Sequence, residues 1–162
     1  MNAIELLDQQ HDEVDALFRS LHSAKSPRTR ESVFIQIADQ LAIHSTLEER
    51  HFYPAVNAHD TEDLLFNSYE QHRAIKVLLA DLLDVDADNS EFMKKCSELE
   101  RLVRDHVEEE RAALFPRARR LCDDAMLETI ASEMLATMAD LLEEGEPRLH
   151  IPEELMATQP TV

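Results

Sequence analysis

The chain has 162 residues, enough for one domain whose core buries roughly 70% of the surface an unfolded chain exposes. It carries 34 acidic against 16 basic side chains, a net charge of −18, which argues against nucleic acid or a membrane surface as partner because both ask for a basic footprint. A single glycine rules out P-loop and dinucleotide fingerprints, and Cys96 and Cys122 make neither a disulfide framework nor a CxxC knuckle.

Apolar residues recur at three- and four-residue steps in blocks. The first block, about 3–24, carries Ile4, Leu7, Val14, Leu17 and Leu21 and opens on Asn2 with Glu5 three residues on, a capping box. Ser26-Pro27 offers an N-cap and a proline at the first helical position of the second, about 27–58, with Phe34, Ile37, Leu41 and Phe52 on one face. Asp60 opens a third block that runs to about 84. The polar stretch VDADNS separates it from a fourth, about 90–121, with Phe92, Leu99, Val103 and Leu114. Asp123 caps a fifth, about 124–143, ended by Gly145, the sole glycine. The pattern predicts an all-α protein: an up-down-up-down four-helix bundle with an additional C-terminal helix on its outside. Residues 1–145 form the one expected domain, and 146–162, with prolines at 147 and 152, an irregular tail. No signal peptide or membrane span is expected, since the N-terminus has no basic n-region and no apolar run reaches the roughly 18 residues a span needs. The reducing cytoplasm is the expected location.

The blocks repeat. Gln10-His11 in the first matches Gln71-His72 in the third, while His44-x3-Glu48 in the second matches His106-x3-Glu110 in the fourth, with Pro54 and Pro116 each ten residues after the histidine. The offsets are 61 for the first pair and 62 for the others. Residues four apart share a helix face, so His44 and Glu48 point one way, as do His106 and Glu110. Leu41 and Phe52 flank the first pair, Val103 and Ala113 the second, and His11 and His72 lie on the apolar stripes of their own helices. Four imidazoles and two carboxylates therefore face one core. Two buried carboxylates without counter-charge cost several kcal/mol each, a deficit that a dinuclear metal centre removes. Histidine with carboxylate and no thiolate favours iron, manganese or zinc. If both glutamates bridge two irons, the histidines divide two per iron and one oxo or hydroxo bridge is shared, each octahedral ion keeps one open position. Such a position implies binding of a small molecule.

His11, His44-x3-Glu48, His72 and His106-x3-Glu110, with the strings EERHFYP and EERAALFP, resemble the hemerythrin-like HHE cation-binding domain over about residues 5–120. The resemblance implies a four-helix bundle with a non-haem di-iron centre. His11, His44, His72 and His106 would be terminal ligands, and Glu48 and Glu110 bridges. The oxygen-carrying members have a second histidine four residues after the third-helix histidine; here that position is Lys76. The chain is thus more similar to the six-ligand members, which include repair-of-iron-centres proteins, bacterial hemerythrin-like proteins and an iron-sensing F-box protein. This departure points away from simple oxygen carriage. It favours turnover of peroxide or nitrogen oxides, or iron sensing and donation. The expected function is binding of, and reaction with, dioxygen, peroxide or nitric oxide, with a peroxide- or nitric-oxide-consuming oxidoreductase as the enzymatic form. The alternative is non-catalytic iron sensing, storage or donation, and a structural bundle whose histidines are core residues or hold zinc is a third reading. The expected partner is a diatomic or peroxide ligand; oligomeric state is open.

Four further residues are candidates for the surroundings of the centre. Asp15 and Lys76 occupy equivalent slots one turn after His11 and His72, where an ion pair between them would lie beside the metals. His51 completes a Glu-x-x-His with Glu48, and Tyr69 sits one turn before His72. His22, His59 and His150 have no repeat partner and are expected on the surface.

Overall fold

The computed structural model describes residues 1–157. Six helices follow one another, and among the described residues there is no strand: α1 (Ala3–Ser23), α2 (Pro27–Leu47), α3 (Glu62–Leu83), α4 (Ser90–Glu109), α5 (Asp124–Glu144) and α6 (His150–Ala157). The sequence signals explain most boundaries. Asn2 Oδ1 accepts the Glu5 N–H (3.0 Å) while Glu5 Oε2 accepts the Asn2 N–H (2.9 Å), the reciprocal pair expected at the start of α1. Ser26 and Asp123 cap α2 and α5 one way, their side-chain oxygens accepting the Thr29 N–H and the Met126 N–H. Asp60 does not cap α3. That helix starts after Thr61, whose hydroxyl turns back to the Val56 carbonyl (2.7 Å).

Helices α2 and α4 depart from a regular helix at matching places. Each runs on through a π-helical turn, Glu48–Phe52 and Glu110–Leu114, into a further helical segment, Tyr53–Ala55 and Phe115–Leu121. Tyr53 N–H bonds to the Glu48 carbonyl and Phe115 N–H to the Glu110 carbonyl, five residues back instead of four. The repeated prolines supply the cause. Pro54 and Pro116 bring no N–H to the ladder and their rings crowd the carbonyl a turn earlier, a strain that one widened turn absorbs.

The tightest helix pairs are the hairpins α1–α2 and α3–α4. Their apolar residues form two blocks. One, containing Phe18, Phe34, Ile37, Leu79 and Phe92, fills one end of the bundle. The other, containing Ile4, Leu7, Leu47, Phe52 and Phe115, fills the opposite end and is covered by α5 through Leu127, Ile130 and Met134. Between the blocks lie the buried polar residues.

The expected irregular tail is instead ordered through Ala157. Pro147–Leu149 makes a 3₁₀ turn and α6 follows, with Ile151 buried and the Arg148 guanidinium on both oxygens of Asp39 (3.2 Å each). Both prolines fall in the first turn of their element, where a missing N–H costs nothing. The remainder of the tail, 158–162, lies outside the described residues. Among the described residues no helix is long and apolar enough to cross a membrane.

Candidate metal centre

The polar layer is built by four helices. His11 comes from α1, His72 from α3, His44 and His106 from the last turns of α2 and α4, and Glu48 and Glu110 from the first residues of the π turns. All six are buried, with Glu48 at 0% and Glu110 at 1% exposure. His11 Nε2 lies 3.1 Å from His44 Nε2, and His72 Nε2 lies 3.1 Å from His106 Nε2. Glu48 Oε1 is 2.9 Å from His44 Nε2 and 3.1 Å from His72 Nε2, while Glu110 Oε1 is 3.1 Å from His106 Nε2 and 3.3 Å from His11 Nε2. The donors fall into two groups, each with its atoms within 4.8 Å of one another: His11, His44, Glu48 and Glu110, and Glu48, His72 and His106. Glu48 belongs to both.

What the outer ring nitrogens touch decides what the inner ones are. His44 Nδ1 lies 2.8 Å from Gln10 Oε1 and His106 Nδ1 2.6 Å from Gln71 Oε1. The Gln71 amide cannot be the other way round, because its Nε2 donates to Glu109 Oε2 (2.6 Å), an oxygen that only accepts. His72 Nδ1 lies 2.9 Å from Glu49 Oε2 and His11 Nδ1 3.5 Å from Asp8 Oδ1. The Nδ1 atoms of His44, His72 and His106 therefore carry their protons outward, and each of these rings, when neutral, turns its Nε2 lone pair inward, while His11 Nδ1 is buried without a hydrogen-bond partner. At the 3.1 Å His72–His106 contact two neutral rings would set lone pair against lone pair unless a proton or a cation lies between them. Glu48 Oε2 and Glu110 Oε1 are buried carboxylate oxygens without a hydrogen-bond donor. Inward imidazole nitrogens and carboxylate oxygens are a ligand set that metal cations fit.

The electrostatics agree. Burial alone would raise the Glu48 carboxyl, but the His44 imidazole beside it and hydrogen bonds from the His106 and His44 rings outweigh it and hold it well below the usual carboxylate range. Burial opposes a charge on His106, yet the Glu110 and Glu48 carboxylates beside it push the imidazole up to about 10. His44, with burial dominant, shifts down. Without a cation, a proton on His106 is what makes the carboxylates tolerable.

A seventh residue, which helical periodicity hides, completes the layer. Tyr53 is 1% exposed; its hydroxyl donates to Glu110 Oε2 (3.1 Å) and lies 3.1 Å from His72 Nε2. In an uninterrupted α-helix a residue five after Glu48 would be about 140° around from it. The π turn closes that angle and brings the phenol inward. Its counterpart Phe115 stacks on His11 (5.9 Å between ring centres, 10° between planes), so only one half of the duplicated centre has a hydroxyl. Burial and the nearby Glu48 and Glu110 keep the phenol protonated, well above its ordinary range. The repeated proline after an aromatic residue was the available clue.

The other four candidates take different places. Lys76 lies near the centre but does not meet Asp15: its ammonium bridges Glu49 (2.8 Å) and Glu154 (2.9 Å), whereas Asp15 pairs with Arg19 (2.5 Å) at the surface. The two slots are equivalent in sequence, but they lie on different flanks of the bundle. His51 is turned by the π turn towards α5, 2.7 Å from the Thr137 hydroxyl. Tyr69 is 41% exposed, its ring edge-on to Tyr53 and its hydroxyl outside the centre. His22, His59 and His150 lie at the surface, as expected. Beside the His layer is a cavity of about 30 Å³, room for about two waters or one diatomic molecule. Its apolar walls are Val14, Leu41, Ile75, Leu79, Val103, Val107 and Ile151.

Residues 2–118 match the hemerythrin HHE cation-binding domain. A crystal structure of a hemerythrin HHE cation-binding domain-containing protein from Mycobacterium kansasii superposes with a TM-score of 0.77 at 23% identity, over 98% of this chain and 94% of that one. A protein of Nostoc sp. (strain PCC 7120) named DNA nickase is 28% identical over 145 residues, which are 87% of this chain. This chain spans about 40% of that relative's length. The all-helical bundle, the buried His/Glu layer that can hold cations and the match over most of its length agree: the chain belongs to the hemerythrin HHE cation-binding domain family.

Proposed function

We propose that this chain is a non-haem di-iron protein whose His11, His44, Glu48, His72, His106 and Glu110 hold two irons and whose apolar cavity admits dioxygen, peroxide or nitric oxide to react there. The observation that carries this reading is the inward set of donor atoms, oriented at His44, His106 and His72 by Gln10, Gln71 and Glu49, beside a cavity sized for a diatomic molecule. When bound, the irons supply Lewis acidity and electrons. The chain's own residues do the rest. Three outer acceptors, Gln10, Glu49 and Gln71, hold the His44, His72 and His106 imidazoles in one tautomer. The two apolar blocks exclude bulk water, and Tyr53 keeps a proton at Oη, 3.1 Å from Glu110 Oε2, where a reacting oxygen or nitrogen atom can draw on it. Cytoplasmic location and a small-molecule partner go with this reading. Nucleic acid does not, because a net charge of −18 repels phosphate, and the Nostoc relative's name is not extended to this chain.

Metal analysis and optical spectra of the aerobically purified chain test it. Two irons per chain with near-ultraviolet charge-transfer bands are expected, and a colourless chain that takes up no iron on reconstitution would overturn the reading. Hydrogen peroxide or nitric oxide added to the loaded protein then separates turnover from the sensing, storage or donation alternative: repeated consumption marks the first, bleaching with iron release the second. His106→Ala and Glu110→Ala should abolish paired binding, and His59→Ala, on a fully exposed side chain, should leave it intact.

A further inference from the structure

The cavity beside the centre is not a product of the four-helix bundle alone. Six of its apolar walls come from α1 to α4, and the seventh, Ile151, comes from α6. Ile151 is 1% exposed and is the buried residue of a helix of only eight residues, too short to persist without tertiary contacts. Those contacts are specific. α6 packs on α3 and the 3₁₀ turn before it packs on α2, so the segment lies over the seam where the two hairpins meet. Arg148 anchors its start to Asp39 on α2. Glu154 anchors its middle to Lys76 on α3, and Lys76 also holds Glu49, the acceptor of the His72 Nδ1 proton. One short helix therefore supplies a wall of the cavity, and an ion-pair chain joins it to a residue of the centre.

We infer that α6 sets the size of the molecule that reaches the centre, with Ile151 the specificity-determining side chain. This deepens the proposed function and rests on its reading of the cavity as a ligand space. The Ile151 side chain limits the space to molecules of two or three heavy atoms in line, such as dioxygen, nitric oxide, hydrogen peroxide or azide. The Lys76–Glu154 pair holds that wall in register with His72.

The test has an arm that needs no metal. In metal-depleted full-length protein, xenon occupancy of the cavity is measured by ¹²⁹Xe NMR. Ile151→Ala should raise it above wild type, Ile151→Val should give an intermediate value, and Ile151→Phe should abolish it. Leu149→Ala, at an exposed position in the same segment, should leave it unchanged. Melting curves establish that each variant is folded, and the Val variant preserves the packing if Ala does not. In iron-loaded protein the wild type should bind azide and exclude imidazole. Ile151→Ala should tighten imidazole binding by about tenfold or more, the effect of a methylene-scale change in an apolar pocket, with azide little altered. Equal xenon occupancy across wild type and the Val, Ala and Phe variants, or an unchanged azide-to-imidazole preference, would overturn the inference while leaving the metal centre standing. A chain that takes up no iron would instead remove the reading of the centre, and the xenon series would still decide whether Ile151 is the wall.

Discussion

Three histidines of the layer, His44, His72 and His106, are held at two atoms, and the outer contact governs the inner one. Gln71 is the clearest case, because its amide is itself oriented by Glu109 and so can only accept from His106 Nδ1. Replacing it with Met keeps the volume and removes the acceptor. Gln71→Met should weaken metal binding by about 10–100-fold, the usual effect of losing such an outer partner. The exposed Gln9→Met should not, and titration with ferrous iron followed optically distinguishes them. Tyr53→Phe makes the two halves of the centre alike, since the counterpart is Phe115. The variant should load iron and fold, because the ring packing remains. Its turnover should fall relative to wild type as the proton at Oη disappears, and an unchanged rate with peroxide or nitric oxide would remove Tyr53 from the chemistry.

Helices place these side chains through their irregularities as much as through their regular turns. The π turns at Glu48–Phe52 and Glu110–Leu114 begin at the glutamates and rotate everything after them. They account for the inward phenol and the outward His51 together. The end of α5 depends on a different backbone device. Gly145 has φ 81° and ψ 159°, a conformation open essentially to glycine alone, and nothing lies within 4 Å of where its Cβ would be. Gly145→Ala should therefore cost backbone strain only, about 1–3 kcal/mol, visible as a fall in Tm of about 2–4 °C per kcal/mol. The iron content at saturating metal should be unchanged, because α5 contributes no donor to the layer.

The whole molecule is two apolar blocks separated by a charged layer, so its stability depends on what neutralises that layer. In metal-free protein the His106 imidazole, ordinarily near 6.5, is pushed up to about 10. A raised value means that its contribution is complete below 6.5 and is lost as pH climbs through about 10. The metal-free chain should thus melt at progressively lower temperature between pH 7 and 10. Iron replaces that proton, so the loaded chain should show no such decline over the same range. It should instead lose metal and stability towards pH 5, where the imidazoles must charge and cease to be ligands. Melting curves of both forms across pH 5–10 check both directions. Two forms with the same pH profile would contradict the assignment of the layer as a cation site. Removing the metal with chelator at pH 7 should lower Tm, since ligand bound only to the folded state adds about 2.7 kcal/mol at a hundredfold excess over Kd.

Much of this was legible in the chain itself because it depends on local periods. Apolar spacing, the Asn2, Ser26 and Asp123 caps and the Gly145 stop mark the helices, and the matching offsets of His11, His44, Glu48, His72, His106 and Glu110 place six donors on inward faces. Residues three and four apart share a face whatever surrounds them, and that rule needs no tertiary knowledge. Tertiary structure decided the rest, where the rule breaks or where distant segments meet. The proline-driven π turns change the angular step, so Tyr53 and His51 fall where uniform periodicity does not put them, whereas Tyr69, on the regular helix α3, is left 41% exposed by the packing around it. Lys76 finds Glu49 and Glu154 instead of Asp15 because hairpin packing, not sequence equivalence, sets which flank each residue occupies. The tail becomes helix α6 because Ile151 gains a buried seat and Arg148 and Glu154 gain partners, contacts that repay the ordering of a segment too short to be helical by itself.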